Sequence, residues 1–307
     1  MRSAYKKKDL AFKNLSYTLA LLVIFISLAM LVVLLVMSYP AIQKFGVINF
    51  IFSDAWNPVK KVFGGATAIY GTLITTLLAL IFAIPTSLGI GIFLSQICPD
   101  KLKRAFSLAI ELLASIPSII YGMWGLFTLA PIMRNYIEPF LQRVFLPIPV
   151  VGLLFRGTPL GIDLLTSGLI LSIMIIPFIA SISRDTFDLV PKELIESAYG
   201  MGATKWEVIK DVILPYSKVG VISGIIIATG RALGETMAVA FVLGNDHTIH
   251  LSLLKSSTTI SVALANEFTE ADFRLYLASL FYLALILYVM SFTALGIAKF
   301  LLRRYSK

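Results

Sequence analysis

Arg231 and Glu235 stand four residues apart inside a long apolar run of this 307-residue chain. Ionisable groups are rare in such runs, because each costs roughly 2.5–3.5 kcal/mol near the middle of a membrane helix. Arg231 lies near the centre of the run Gly220–Gly244. On a helix the i, i+4 spacing puts both charges on one face. Two readings fit the pair. One is a self-neutralising ion pair packed between helices, although Arg ahead of Glu is the weaker orientation for it. The other is an anion way-point, since guanidinium offers paired donors to an oxyanion and Glu235 partly tunes that charge. Gly220, Gly224, Gly230 and Gly234 make two Gly-x3-Gly pairs, which allow a close helix approach. Glu111, near the inner end of another run, reads as an interfacial residue.

The elements that must position these charges are membrane helices. The chain is 58% hydrophobic and only 14% charged, well below the quarter or so typical of soluble domains. A span needs about 20 mostly apolar residues. Six stretches qualify: Tyr17–Met37, Tyr70–Leu94, Phe106–Pro131, Leu164–Ser183, Gly220–Gly244 and Leu275–Leu302. The expected fold is therefore an all-α, polytopic membrane protein with six transmembrane helices. Pro85, Pro117 and Pro177 are expected to kink their spans.

The net charge of +9 orients the chain and does not call for nucleic acid. With the N-terminus cytoplasmic, the inside segments hold five Lys and Arg before the first span, then Lys101, Lys103 and Arg104. Five more lie between Arg184 and Lys218, and four from Lys299 onward. The outside segments hold eight. This bias places both termini in the cytoplasm. The first apolar run follows three lysines but lacks a small-x-small cleavage site, so it reads as a retained helix. Cys98, the one cysteine, reads as a free structural thiol. His247 and His250 lie outside, where a solvated loop is the expected reading and a metal site the alternative.

The outside segment 133–163 is rich in Pro and Gly and is expected to hold a short re-entrant or interfacial element. The inside segment 184–218 carries signals for two short helices. Pro191 suits a first helical position, Gly200 or Gly202 can end that helix, and Thr204–Glu207 has capping-box spacing. Pro215 marks the turn into the fifth span. Leu194, Ile195, Ala198, Trp206, Ile209 and Ile213 lie among the charges of this segment. A helix pair there either covers the bundle's own inner face or presents those residues to a soluble partner.

The string Glu196-Ser197-Ala198-Tyr199-Gly200-Met201-Gly202-Ala203, followed by Ile213-Leu214-Pro215, resembles the EAA signature of ABC-importer permeases. Glu196, Ala198, Gly202, Leu214 and Pro215 match it, and Ser197 replaces the middle Ala. Gly230-Arg231-Ala232-Leu233-Gly234-Glu235-Thr236-Met237-Ala238-Val239 is similar to the string of the phosphate-importer branch of that family, the PstC permeases. Stretches 114–125, 176–185 and 265–268 resemble the same branch. The resemblance implies a type I importer permease fold, with residues 1–66 as tail, first helix and external loop. Residues 67–303 would be the transmembrane domain, with the coupling loop at 184–218.

It also implies a substrate pathway through Arg231, Glu235 and Thr236, and docking of the helix pair on an ATPase. The implied partners are a second permease subunit resembling PstA, two ATPase subunits, an extracytoplasmic phosphate-binding protein and membrane lipid. The chain has no Gly-x4-Gly-Lys-Ser/Thr loop, so ATP chemistry is expected from another chain; this one is expected to be a membrane-channel subunit and no enzyme, with ATP and Mg in the partner ATPase. A gradient-driven anion transporter, a non-transporting membrane scaffold, and an importer of molybdate or sulfate stand as alternatives.

Overall fold

The structure is a computed structural model describing residues 2–305, with the side chains of residues 9–300 and of Leu302. The Lys6–Lys8 side chains and the last two residues lie outside the described part. Five helical stretches are long and apolar enough to cross a membrane: Asp9–Phe45, Ala66–Ile97, Leu164–Asp188, Lys205–Leu233 and Arg274–Phe300. A sixth candidate is the bent pair Asp100–Ser115 and Ser118–Phe145. Among the described residues the only β pairing is two isolated bridges, Asn57 with Val62 and Gly244 with Ser257.

The chain opens with α1 (Arg2–Phe45), mostly exposed over its described side chains and apolar through its middle, and the short α2 (Val47–Phe52). Helix α3 (Ala66–Ile92) ends in a wide π-helical turn, Phe93–Ile97. Next come α4 (Asp100–Ser115), α5 (Ser118–Trp124), α6 (Ala130–Ile132) and α7 (Glu138–Phe145). They are followed by α8 (Leu164–Asp188), α9 (Lys192–Gly200), α10 (Lys205–Glu207), α11 (Leu214–Leu233) and α12 (Met237–Ala240). Helices α13 (Ile260–Glu267) and α14 (Arg274–Tyr305) complete the chain.

Helices α3 and α8 form the centre and pack along their lengths. Ile170, Leu171, Met174, Ile175 and Ile179 of α8 are buried there. Lipid tails are as apolar as leucine, so close packing rather than burial from water holds such a bundle. One expected glycine pair serves that end. A Cβ on Gly220 would overlap the Thr186 side chain, and one on Gly224 would press on Ile182, so α11 lies tight on α8. The second pair does not join helices: Gly230 only faces Leu295, and Gly234 has open space.

Two expectations about spans are corrected. The run Phe106–Pro131 is not one kinked helix, because the chain turns by 90° between α4 and α5. Proline disfavours helical backbone at the residue before it, and Ile116 is extended (φ −65°, ψ 128°). Helix α4 has no buried residue; it exposes Leu102, Phe106, Leu108, Leu112 and Leu113 and is tied to α8 by charge. Lys103 Nζ lies 2.9 Å from Asp188 Oδ2, and Arg184 Nη2 lies 3.5 Å from Glu111 Oε1. Pro85 and Pro177 sit inside helices that continue through them. The second correction concerns the fifth span, which stops at Leu233 rather than Gly244.

Helices α1 and α14 run antiparallel, with Ser27 Oγ and Tyr288 Oη 2.6 Å apart. Segments 46–65, 146–163 and 245–259 gather at one end of the bundle, through bonds such as Thr67 Oγ1 to the His247 carbonyl (3.1 Å) and Leu253 N to the Leu154 carbonyl (2.8 Å). The α9–α10 pair lies at the other end, as do the free ends of α1 and α14. Segment 133–163 holds α7 and a 3-10 turn at Val151–Phe155.

Candidate functional site

Arg231 occupies the last turn of α11, and its guanidinium carbon stands 4.4 Å from the centroid of the Phe178 ring. Phe178 is close to mid-length in α8, so the cation lies at the middle depth of the bundle. A cation over an aromatic face contributes about 0.5–2 kcal/mol, too little to neutralise it. Arg231 is exposed, and among the described residues no carboxylate lies within 4 Å of it. The expected shared helix face for Arg231 and Glu235 is therefore not formed. Gly234 ends α11, and the chain breaks at Gly234-Glu235-Thr236 before α12.

Glu235 turns to the backbone instead. Its Oε1 accepts from the Ala238 amide at 3.2 Å, which caps the short helix. Thr236 is half-exposed beside it, with Oγ1 3.4 Å from the Gly234 carbonyl. The break is held by α5. A Cβ on Gly122 would overlap the Met237 carbonyl and the Phe241 ring, so these backbones meet in contact. Tyr121 is buried next to Arg231 and donates to the Leu113 carbonyl at 2.8 Å, bridging the α4–α5 corner. Phe178 and Tyr121 carry no signal in the sequence that would pair them with Arg231.

The second assembly is the α9–α10 pair. Pro191 precedes α9 rather than starting it. Gly202 ends it with φ +90°, while its amide bonds the Tyr199 carbonyl and the Ala203 amide bonds the Ala198 carbonyl. That left-handed cap favours glycine. The capping box is present: Glu207 N donates to Thr204 Oγ1 at 3.4 Å, and Thr204 N to Glu207 Oε2 at 2.7 Å. Pro215 does not turn the chain. A π-helical turn, Val208–Ile213, absorbs its missing donor, and the helix runs through from Lys205 to Leu233.

The apolar residues of this pair divide in two. Ala198, Ile209 and Ile213 are buried with Phe187, Val190 and Val221, and Leu214 is half-buried against them. Leu194, Tyr199, Met201 and Trp206 are exposed, as are Glu196, Gly202 and Pro215. Met201 at 85% and Trp206 at 65% exposure are the barest apolar residues of the pair.

The opposite end holds a buried polar knot. Glu267 Oε2 accepts from Trp56 Nε1 at 2.7 Å and from the Tyr276 hydroxyl at 2.6 Å, and its Oε1 lies 2.9 Å from His247 Nε2. Burial opposes the charge on Glu267, but the bonds from His247, Tyr276 and Trp56 outweigh it and hold the carboxyl below its usual range. His247 stacks on Trp56 with the planes 6° apart. It is thus packed and paired, not the solvated-loop residue expected. His250 Nε2 lies 2.7 Å from Thr248 Oγ1.

Residues 87–307 match the family described as binding-protein-dependent transport system inner membrane component. The chain is 52% identical to the phosphate transport system permease protein PstC of Mesorhizobium japonicum, over 87% of this chain and 81% of that one. It is 47% identical to the PstC of Pasteurella multocida, over 97% and 93%. The fold is similar to a chain of the bacterial alginate ABC transporter in complex with an alginate pentasaccharide-bound periplasmic protein. There the TM-score is 0.62 at 17% identity, over 98% of each chain. The inward-facing MetNI methionine ABC transporter gives 0.55 at 20%, over 78% of this chain and 95% of that one.

Proposed function

The chain belongs to the family of binding-protein-dependent transport system inner membrane components, and we propose that it is the phosphate-conducting permease subunit of an ATP-driven importer. The fold is the type I ABC-importer permease fold, all-α and polytopic. The observation that carries the mechanism is Arg231: a bare cation at mid-depth, on a helix end, without a carboxylate partner among the described residues. A guanidinium facing lipid would be costly, so that face lines a wet path or meets a second permease subunit. Both conditions hold if two such chains, this one and a PstA-like partner, enclose the route. Arg231 then takes the oxyanion through paired donors, beside Glu235 and Thr236.

Residues 67–303 serve as the conducting unit, and α1 rides on its lipid face. The α9–α10 pair docks by Leu194, Tyr199, Met201 and Trp206 in a groove of one of two ATPase subunits, which supply ATP and Mg. A phosphate-binding protein delivers cargo to the opposite end, and both termini are cytoplasmic. The orientation is checked with cysteines at Ser197 and Leu251, both exposed, at opposite ends. Ser197→Cys should label only from the cytoplasm and Leu251→Cys only from outside. The reverse pattern would reject it.

The decisive experiment is phosphate uptake in membrane vesicles holding the candidate partners, with and without ATP. ATP-dependent uptake that Gly202→Asp abolishes, with the chain still inserted, supports the reading. A Cβ at Gly202 meets no neighbour, but its φ of +90° strains any other residue, so Gly202→Ala is the control that separates the strain from the added charge. Uptake by this chain alone on an ion gradient would overturn it.

A further inference from the structure

We propose that Glu138 and Asp163 share a single proton and form a latch that fastens the loop end of the bundle and opens in alkali. Both residues are 0% exposed. Asp163 caps α8: its Oδ1 accepts from the Thr166 amide at 2.8 Å. A carboxylate there is favoured by the positive end of a 25-residue helix. Glu138 is the first residue of α7, and its carboxyl faces Asp163 and the backbone of Leu160 and Gly161.

Among the described residues the Leu160 and Gly161 amides approach Glu138, yet neither of its oxygens makes a well-formed hydrogen bond, and nor does Asp163 Oδ2. Charged groups on the surrounding elements do not help. Arg134 in the turn before α7, Arg143 on α7, Arg156 in the following loop and Lys255 on the packed segment are all exposed, and none forms an ion pair with either carboxyl. Two facing carboxylates without a cation cannot both ionise in a dry site. One proton between them supplies what is missing: Glu138 keeps it and donates to Asp163 Oδ2.

The contact closes a loop with mechanical consequences. Glu138 and Asp163 bracket segment 146–162, which Gly161 presses onto α6; its φ is +72°, and a Cβ there would overlap the Ala130 carbonyl. That segment and the start of α8 bind the 252–255 stretch. Leu164 N donates to the Lys255 carbonyl (3.2 Å), Leu165 N to the Leu253 carbonyl (3.0 Å) and Ser252 Oγ to the Leu154 carbonyl (3.3 Å). Removing the proton leaves two buried negative charges face to face, and the start of α7 must part from the start of α8.

The test is the thermal midpoint of the full chain in its purified assembly, from about pH 6 to about pH 9, in wild type and Glu138→Gln. Glutamine keeps a donor for Asp163 but cannot ionise. Wild type should lose roughly 5–10 °C more than the variant across that range, the size expected when a buried charge is left uncompensated. Infrared difference spectra over the same range should show a protonated-carboxyl band that disappears in wild type and is missing in Glu138→Gln. Parallel thermal profiles together with no such band would overturn the latch. So would calcium or sodium restoring wild type, but not Glu138→Gln, at alkaline pH, because the pair would then be a cation site. The outcome does not depend on what the chain transports.

Discussion

Arg231 and Glu267 are both charges held inside a mostly apolar bundle, and they are treated in opposite ways. Glu267 is 7% exposed and receives bonds from Trp56, Tyr276 and His247, so both of its oxygens are used. Arg231 has an aromatic face beneath it and open space beyond, and its nearest charged neighbour in sequence, Glu235, is committed to a backbone amide. A satisfied charge ties elements together: Trp56 from the first loop, His247 from the loop after α12, and Tyr276 from α14. Arg231 has no such tie among the described residues, and under the function proposed above its free face meets an anion from outside the chain. The Glu267 knot is a joint, and under the function proposed above the α11–α12 break is a work surface.

The contrast fails first if Arg231 can be removed without loss. Arg231→Ala should cut phosphate uptake about tenfold to hundredfold, because a bond to a charged group contributes roughly 1.5–3 kcal/mol. Insertion and assembly should be unchanged, since the side chain holds no ion pair of its own. Arg231→Lys should recover only part, as it keeps the charge and loses the fork. Normal uptake in Arg231→Ala would make the two regions equivalent.

Glu267→Ala should do the reverse, lowering stability while leaving uptake per folded molecule close to wild type. It strands the Trp56 and Tyr276 donors and His247, and each buried unsatisfied group costs about 1–3 kcal/mol. The pH dependence follows from the depressed carboxyl. Its contribution is complete above the ordinary carboxylate range and is lost as pH falls through its lowered value. Wild type should therefore lose stability in acid faster than Glu267→Gln, as read by thermal midpoints below about pH 5. Equal acid slopes would show that the knot gains nothing from charge.

A smaller effect is expected at the other working surface. Trp206 is 65% exposed and packs on little of its own chain, so Trp206→Ala should leave the permease's stability unchanged. Large aromatic anchors at interfaces contribute about 2 kcal/mol or more, so the ATPase should bind at least about tenfold more weakly. Unchanged co-purification would move the docking surface elsewhere.

How far the sequence exposed all this depends on the range of each interaction. The spans are legible because twenty apolar residues in a row are a local property. The α9–α10 pair is legible for the same reason: Thr204 and Glu207 are three apart, and the Gly202 cap closes on Ala198 and Tyr199. The break after Leu233 is not. Gly-Glu-Thr inside an apolar run reads as part of the span, but Gly234 caps the helix and α5 packs its Gly122 against Met237 and Phe241 just beyond it. Trp56 and Glu267 meet across 211 residues, and no spacing rule reaches that far. Glu138 and Asp163 carry no spacing signal that pairs them, and burial alone sets them face to face.

The finest distinction between joint and work surface lies within the break itself, in Glu235. Its Oε1 does a joint's work, accepting from Ala238, while the residue stays half-exposed beside Thr236. That leaves Oε2 free to meet cargo. Phosphate near neutral pH still carries a proton and can donate to a carboxylate, whereas sulfate cannot and would meet only repulsion. Arg231 then supplies attraction for both anions and Glu235 discriminates between them, the unfavourable element that specificity commonly needs. Partial exposure screens the effect, so the shift should fall toward the low end of a charged hydrogen bond, about threefold to tenfold. Glu235→Gln keeps an oxygen for the Ala238 cap and removes the charge. In a complex made independent of its binding protein, which would otherwise filter sulfate first, this variant should pass more sulfate relative to phosphate. An unchanged ratio would make Glu235 a helix cap and nothing more, with the whole working charge of the break resting on Arg231.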